Sequence, residues 1–253
     1  MNIQAQVISL RRTPERLAWF RHTNARQADH ITWVDGIDGP ELLSVLKNSR
    51  LVGSSAFRHW TAGAIGSALS HLRSWRHCLE QGKPTLVLED DVVLAVDWQH
   101  RLNTLCTSLD EDWDLVLLGW NYNSVLHSQN DSGIETIRLF EPAFPDLDQI
   151  RTILQPNRLH QLERLKHAFG LPAYLINPAG AERLLALVPP LQTAPLTIAR
   201  GIPAIETSTL DGLLNLHYPQ LQVWVVNPPL AVAMNDPRNS LTQTEPQIIQ
   251  FGN

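Results

Sequence analysis

Cysteine is scarce. The 253 residues include two, Cys78 and Cys106. Neither has a second Cys or a His at zinc-finger spacing, so neither a thiolate metal site nor a disulfide framework organises this chain. So little cysteine fits a reducing compartment. An excess of positive charge is also missing. The net charge is -5, which removes the electrostatic footprint of a nucleic-acid binder. No stretch approaches the roughly 18 apolar residues of a membrane span. The opening "MNIQAQVISL" lacks a basic segment followed by a long apolar run, so no signal peptide is expected. These absences lead us to expect a cytoplasmic protein, with any membrane contact peripheral and at the inner membrane face. Internal repeats and low-complexity tracts are absent too.

What is present is ordinary globular material. Apolar residues make up 43% and charged residues 18%, enough for a single domain over 1–253 with ample core. Strand-like and helix-like segments alternate. "AQVISL" (Ala5 to Leu10) reads as a strand, followed by a helix with Thr13 as N-cap and Pro14 at its first position. "ITWVDGIDG" reads as a second strand ending in an Asp-Gly turn. In the next helix Ile65, Leu69, Leu72, Trp75 and Leu79 recur near the helical period, and Gly82 stops it. Further strands are expected at Thr85 to Leu88, Asp114 to Trp120 and Leu221 to Asn227. "AYLINPAGAERLLALV" reads as strand then helix, capped by Asn177. Such alternation predicts an α/β fold with a mainly parallel central sheet flanked by helices. Residues 121–170, with Pro142, Pro145 and Pro156, break the pattern. They read as a long insertion over one face, holding a helix near Arg158 to Phe169.

The stretch "PTLVLEDDVVL" (Pro84 to Leu94) carries the chemistry. A four-residue apolar strand runs into Glu89, Asp90 and Asp91, then three more apolar residues. Unpaired carboxylates are costly to bury, and adjacent ones repel. Either the acids sit on a wet turn, or a cation meets them. Ligands gather at the carboxyl ends of strands in such sheets, where these acids fall. Mn²⁺ or Mg²⁺ takes one or two carboxylates plus phosphate and water oxygens. Glu89 and Asp91, two apart, share one face of an extended chain.

The ordered pieces resemble glycosyltransferase family 25, the lipooligosaccharide-biosynthesis family that also contains collagen galactosyltransferases. The resemblance rests on Ser70-His71 in a helix followed by Glu89-Asp90-Asp91. It also rests on Arg16 in "VISLRRTPERLAWF", Asp38-Gly39, "DLVLLGW", "AYLINPAGAERLL", Asp211 in "TLDGLL", and Ser240 in the closing segment. It spans roughly residues 3 to 242, apart from the insertion. One departure is visible: Ala64 stands where the family has an acid. A second, Ser67 for Cys, is a packing change.

The resemblance implies a GT-A-like fold and an inverting transfer from a UDP-sugar, most often UDP-galactose, with Mn²⁺ or Mg²⁺. The acceptor would be a glycan or lipid-linked hydroxyl in surface-glycan biosynthesis. Metal ligands are then expected at Asp91 and Glu89, with His217 completing the shell. Donor contacts are expected from Arg16, Asp38 and Asp90. Ser70 and His71 would bind the donor or support the acidic loop. Asp211 is the expected general base, with Glu206 as its neighbour and substitute. Two rivals stay open at this point. A nucleotidyltransferase also uses acids and Mg²⁺, although "RRTPER" lacks its Gly-rich loop. A degenerate transferase that binds sugar nucleotides without turnover is allowed by Ala64.

Overall fold

A computed structural model gives the structure of the chain; it describes residues 2–46, 49–109, 112–155, 159–235 and 242. Ser240 lies outside the described residues. The chain begins β1 (Gln4–Ser9), α1 (Pro14–Thr23), β2 (Ile31–Asp35), α2 (Gly39–Leu46), α3 (Ser54–His59) and α4 (Ala62–Gln81). Next come β3 (Thr85–Glu89), β4 (Val92–Leu94), α5 (Trp98–Cys106) and β5 (Leu115–Gly119). The middle holds β6 (Leu126–Gln129), β7 (Glu135–Arg138), α6 (Leu147–Ile153) and β8 (Gln161–Ala168). It closes with β9 (Ala173–Ile176), α7 (Pro178–Leu187), β10 (Pro195–Leu196), β11 (Ile205–Glu206), α8 (Leu210–Leu214), β12 (Val223–Asn227) and β13 (Ala231–Ala233).

The expected α/β class is found. Nine strands form one central sheet in the order β2-β1-β3-β9-β5-β12-β8-β6-β7. The sheet is mixed, where the sequence suggested mainly parallel. β2, β1 and β3 run parallel, as do β5 and β12. β9 pairs antiparallel with both β3 and β5, and β8 antiparallel with β12. Period-two alternation sorts the strand residues onto two faces. Val87, Leu117, Tyr174 and Val225 pack with α4, α7 and α8. Leu86, Leu88, Leu118 and Val226 pack on the other side, with α5 and β4.

α4 lies across the first of these faces. Thr61 caps it by accepting from the Ala64 N–H at 3.0 Å. Gly82, at φ 61°, ends it in the left-handed conformation that glycine tolerates. Its buried stripe runs Ile65, Leu69, Leu72, Trp75, Cys78. Leu79, expected on that stripe, is 39% exposed, because Cys78 takes the inward position. Asn177 caps α7 as expected. Thr13 precedes α1, but its hydroxyl donates back to the Leu10 carbonyl instead of capping.

Residues 121–170 differ most from expectation. They extend the sheet edge through β8, β6 and β7. The helix expected near Arg158 to Phe169 is instead strand β8 over Gln161–Ala168; Arg158 lies outside the described residues. The physical reason is a buried charge. Glu163 points inward and is satisfied there by Arg138 at 2.7 and 3.0 Å, by Asn227 at 2.8 Å and by Ser128. A charge normally read as solvent-facing therefore marks an inward position.

His167 on β8 stacks on His127 of β6, with the two Nδ1 atoms 3.0 Å apart. Burial, then the neighbouring His127, lowers the His167 pKa to about 4. A depressed histidine stabilises the fold above its unfolded pKa near 6.5. That contribution is lost as pH falls through the folded value. We therefore expect the urea midpoint of His167→Gln to decline less between pH 7 and 4.5 than that of the unmodified chain. Parallel slopes for the two proteins would refute this.

Candidate functional site

The carboxyl ends of β1, β2 and β3 open into one cleft. It encloses about 1210 Å³, including open space at its mouth. One wall is the loop Gly36–Gly39 together with Gly63, Ala64 and Ser67 of α4. Asn121, Gly170 and Asp211 also line the cleft. A Cβ on Gly39 would overlap the Ala62 carbonyl, and one on Gly66 would overlap the Ile37 carbonyl. Loop and helix therefore meet backbone to backbone.

Glu89 ends β3, and Asp90 and Asp91 form the turn to β4. The Glu89 N–H still donates to Pro172 at 2.9 Å. The chain then leaves the main sheet, and β4 pairs with β13 instead. Each acid has a different partner. Asp90 is 6% exposed. Its Oδ1 accepts from Arg16 at 2.8 Å and its Oδ2 from the Ser9 hydroxyl at 2.7 Å. Both oxygens are thus engaged by the protein. Asp90 anchors the turn.

Arg16 also approaches Asp91 at 3.5 Å. Burial alone would lower the Arg16 pKa, but the bond to Asp90 and the charges of Asp90, Asp91 and Glu89 raise it overall. Its charge serves the acids first, so a diphosphate would have to compete with them. Asp91 Oδ1 is buried and has no hydrogen-bond partner. Burial and the Glu89 charge push the Asp91 carboxyl up to about 7, against a smaller lowering by Arg16. Glu89 is about a third exposed, and its Oε1 meets His71 Nε2 at 3.3 Å.

Ser70 does not reach the acids. Its hydroxyl accepts from the Ile37 N–H and donates to the Gly66 carbonyl, both at 2.8 Å. It pins the loop carrying Asp38 to α4. Asp38 Oδ2 pairs with Arg12, while Oδ1 is buried without a partner. Asp211 lies in the first turn of α8, which Thr209 caps. Its Oδ2 accepts from the Gly170 N–H at 2.6 Å. Among the described residues its Oδ1 has no partner.

Two expected residues are not in this cleft. Glu206 is exposed on β11, paired in register with Pro195 of β10. His217 follows α8, its Nδ1 buried and unpartnered, and burial lowers its pKa. It precedes the 3₁₀ turn Tyr218–Gln220 and does not line the cleft. Sequence reasoning missed Ser9, Asn121, Gly170 and Tyr174. No spacing in the sequence marks them, because they reach the site through strand order and loop closure.

Among the described residues no three His, Cys, Asp or Glu side chains converge as a protein-only metal site. A hard cation drawing most of its ligands from substrate and water needs fewer. The orphaned Asp91 Oδ1 and the accessible Glu89 fit that case.

Residues 2–198 match the sequence signature of glycosyltransferase family 25 (LPS biosynthesis protein). This chain belongs to glycosyltransferase family 25. It is also similar to procollagen galactosyltransferase 1 of Danio rerio, 25% identical over 194 residues. The alignment covers 72% of this chain and 28% of that protein, so the chain spans under a third of its relative's length. In this family-25 chain Arg16, Asp38, Ser70, His71 and the three acids lie inside the matched residues. Glu206, Asp211 and His217 lie beyond them, and Asp211 stands on its cleft geometry alone. Ala64 lines the cleft at 3% exposure, with no carboxylate where the resemblance leads one to expect an acid. Among the described residues no helix is long and apolar enough to cross a membrane.

Proposed function

We propose that this family-25 chain transfers a hexosyl group, galactose from UDP-galactose, to a hydroxyl of a glycan or lipid-linked acceptor, with inversion. The observation that carries this reading is the orphaned Asp91 Oδ1 beside Glu89, in the same cleft as a half-engaged Asp211. Bound Mn²⁺ or Mg²⁺ would supply positive charge next to the leaving diphosphate. Asp91 and Glu89 would hold it. Arg16 and Ser9, through Asp90, keep their turn in place. Asp38, whose second oxygen is unpartnered, would contact the nucleoside. Asp211 would accept the acceptor hydroxyl's proton on Oδ1 while Gly170 holds Oδ2. The acceptor oxygen forms its bond to the anomeric carbon from the face opposite the departing phosphate oxygen. Asn121 and Gly170, at the two ends of the 121–170 segment, border the acceptor side.

The alternative of a non-catalytic sugar-nucleotide binder rests on Ala64. A nucleotide panel separates the readings. Thermal shifts are measured with UDP, UDP-galactose and nucleoside triphosphates, with and without Mn²⁺, alongside UDP release. A Mn²⁺-dependent UDP shift with turnover is the expected result. A shift without turnover would favour the binder. Preference for a triphosphate would favour a nucleotidyltransferase.

A further inference from the structure

Behind Glu89 lies a chain of buried polar groups, of which the expected roles include only His71. Trp75 Nε1 meets the Tyr174 hydroxyl at 2.8 Å. The same hydroxyl meets His71 Nδ1 at 2.9 Å. His71 Nε2 then meets Glu89 Oε1 at 3.3 Å. Trp75 and Tyr174 are fully buried and His71 is 2% exposed. We infer that Tyr174 is a positioning residue whose hydroxyl fixes the His71 tautomer, so that the imidazole presents an N–H to Glu89 and aims that carboxylate into the cleft.

The proton order follows from counting donors. An indole N–H can only donate, so Trp75 donates to the Tyr174 oxygen. Suppose His71 also donated to that oxygen through Nδ1. The phenolic proton would then be left without an acceptor at a site closed to water, at a cost of about 1–3 kcal/mol. A neutral His71 would in addition turn its Nε2 lone pair toward the Glu89 carboxylate. Both faults vanish in one arrangement: Tyr174 donates to Nδ1, and Nε2–H donates to Glu89. Burial raises the Tyr174 pKa well above its ordinary value, so the phenol keeps the proton it must give. Tyr174 reaches this place because β9 lies beside β3, with Tyr174 opposite Val87. Both side chains face α4, which supplies His71 and Trp75 one turn apart. The same order leaves His71 without a free lone pair, which removes it from the residues able to take the acceptor's proton.

The proton order stands on geometry alone; the role of Glu89 toward a cation rests on the proposed function. The test therefore has two arms. In the first, ¹⁵N-histidine-labelled protein is studied by long-range ¹H–¹⁵N correlation, with the His71 signals assigned by their loss in His71→Gln. The expected spectrum shows Nε2 protonated and Nδ1 bare, shifting toward the other tautomer in Tyr174→Phe. A protonated Nδ1 in the unmodified protein would overturn the inference. In the second arm, Mn²⁺ is titrated calorimetrically in the presence of UDP. Tyr174→Phe should weaken Mn²⁺ binding on the order of 10-fold, the size seen when an outer partner of a ligand is lost. A changed tautomer with unchanged Mn²⁺ affinity would overturn the positioning role. If Tyr174→Phe does not fold, the spectrum of the unmodified protein still decides the proton order, and His71→Ala takes its place in the Mn²⁺ arm, where an unchanged affinity would overturn the positioning role. If the unmodified protein turns over no sugar nucleotide, the proposed function fails, and the first arm still decides the proton order.

Discussion

Asp91→Asn is expected to eliminate Mn²⁺-dependent UDP release and to leave the metal-free fold at least as stable. The activity loss should exceed the roughly 10–100-fold typical of an outer-shell partner, because the proposed role has Asp91 touching the ion itself. The stability expectation has a separate cause. Burial and Glu89 push the Asp91 carboxyl up to about 7, so its charge works against the empty fold. A raised carboxyl contributes stability that is present at low pH and is lost as pH rises through the folded value. Asparagine removes that penalty. Urea unfolding at pH 8 without metal should therefore give a midpoint equal to or above that of the unmodified chain, with initial rates measured alongside. A variant that kept most of its Mn²⁺-dependent activity would remove Asp91 from the site.

The Asp91 and His167 slopes oppose each other across much of the same pH range. In the unmodified chain they partly cancel, which is why each is sought in a variant that removes one of them. The acid loss caused by His167 should stand out more clearly in Asp91→Asn.

Asp211→Asn should lower kcat about 10²–10⁴-fold, the usual contribution of a general base, with little change in donor binding. The amide oxygen can still accept from Gly170, so the turn that Asp211 now holds at 2.6 Å survives. Rates and UDP binding measured on one preparation separate the two effects. A kcat within a few-fold of normal would move the base elsewhere. Glu206 is a poor replacement, because it lies exposed on the β10–β11 hairpin.

The legible parts of this chain were those written in local chemistry. α4 announced itself by its apolar period and by Gly82. The acids announced themselves by breaking an apolar run. The family resemblance then placed Arg16, Asp38, His71 and the acids in order, and the fold gathers them in one cleft. Strand order was not legible. Nothing local says that β9 inserts antiparallel between β3 and β5, so Tyr174 could not be set behind His71. β8 was misread because Glu163 looks like a solvent-facing charge until Arg138 and Asn227 are brought to it. Asp90 was expected at the donor from the family resemblance; its partners in the fold, Ser9 and Arg16, lie 81 and 74 residues away in sequence.

The side-chain-free contact between Gly39 and Gly66 bears on how this site can drift over generations. Each glycine's missing Cβ is replaced by a carbonyl of the other element, from Ala62 and from Ile37. A new methyl at either glycine would lift the Asp38 loop off α4, and with it one side of the cleft. Variation at 39 and 66 should therefore be nearly silent among functional descendants. Position 62 lends only its backbone to the contact and is free to change. The wall of this cleft would then be preserved by two residues that never touch a ligand through a side chain.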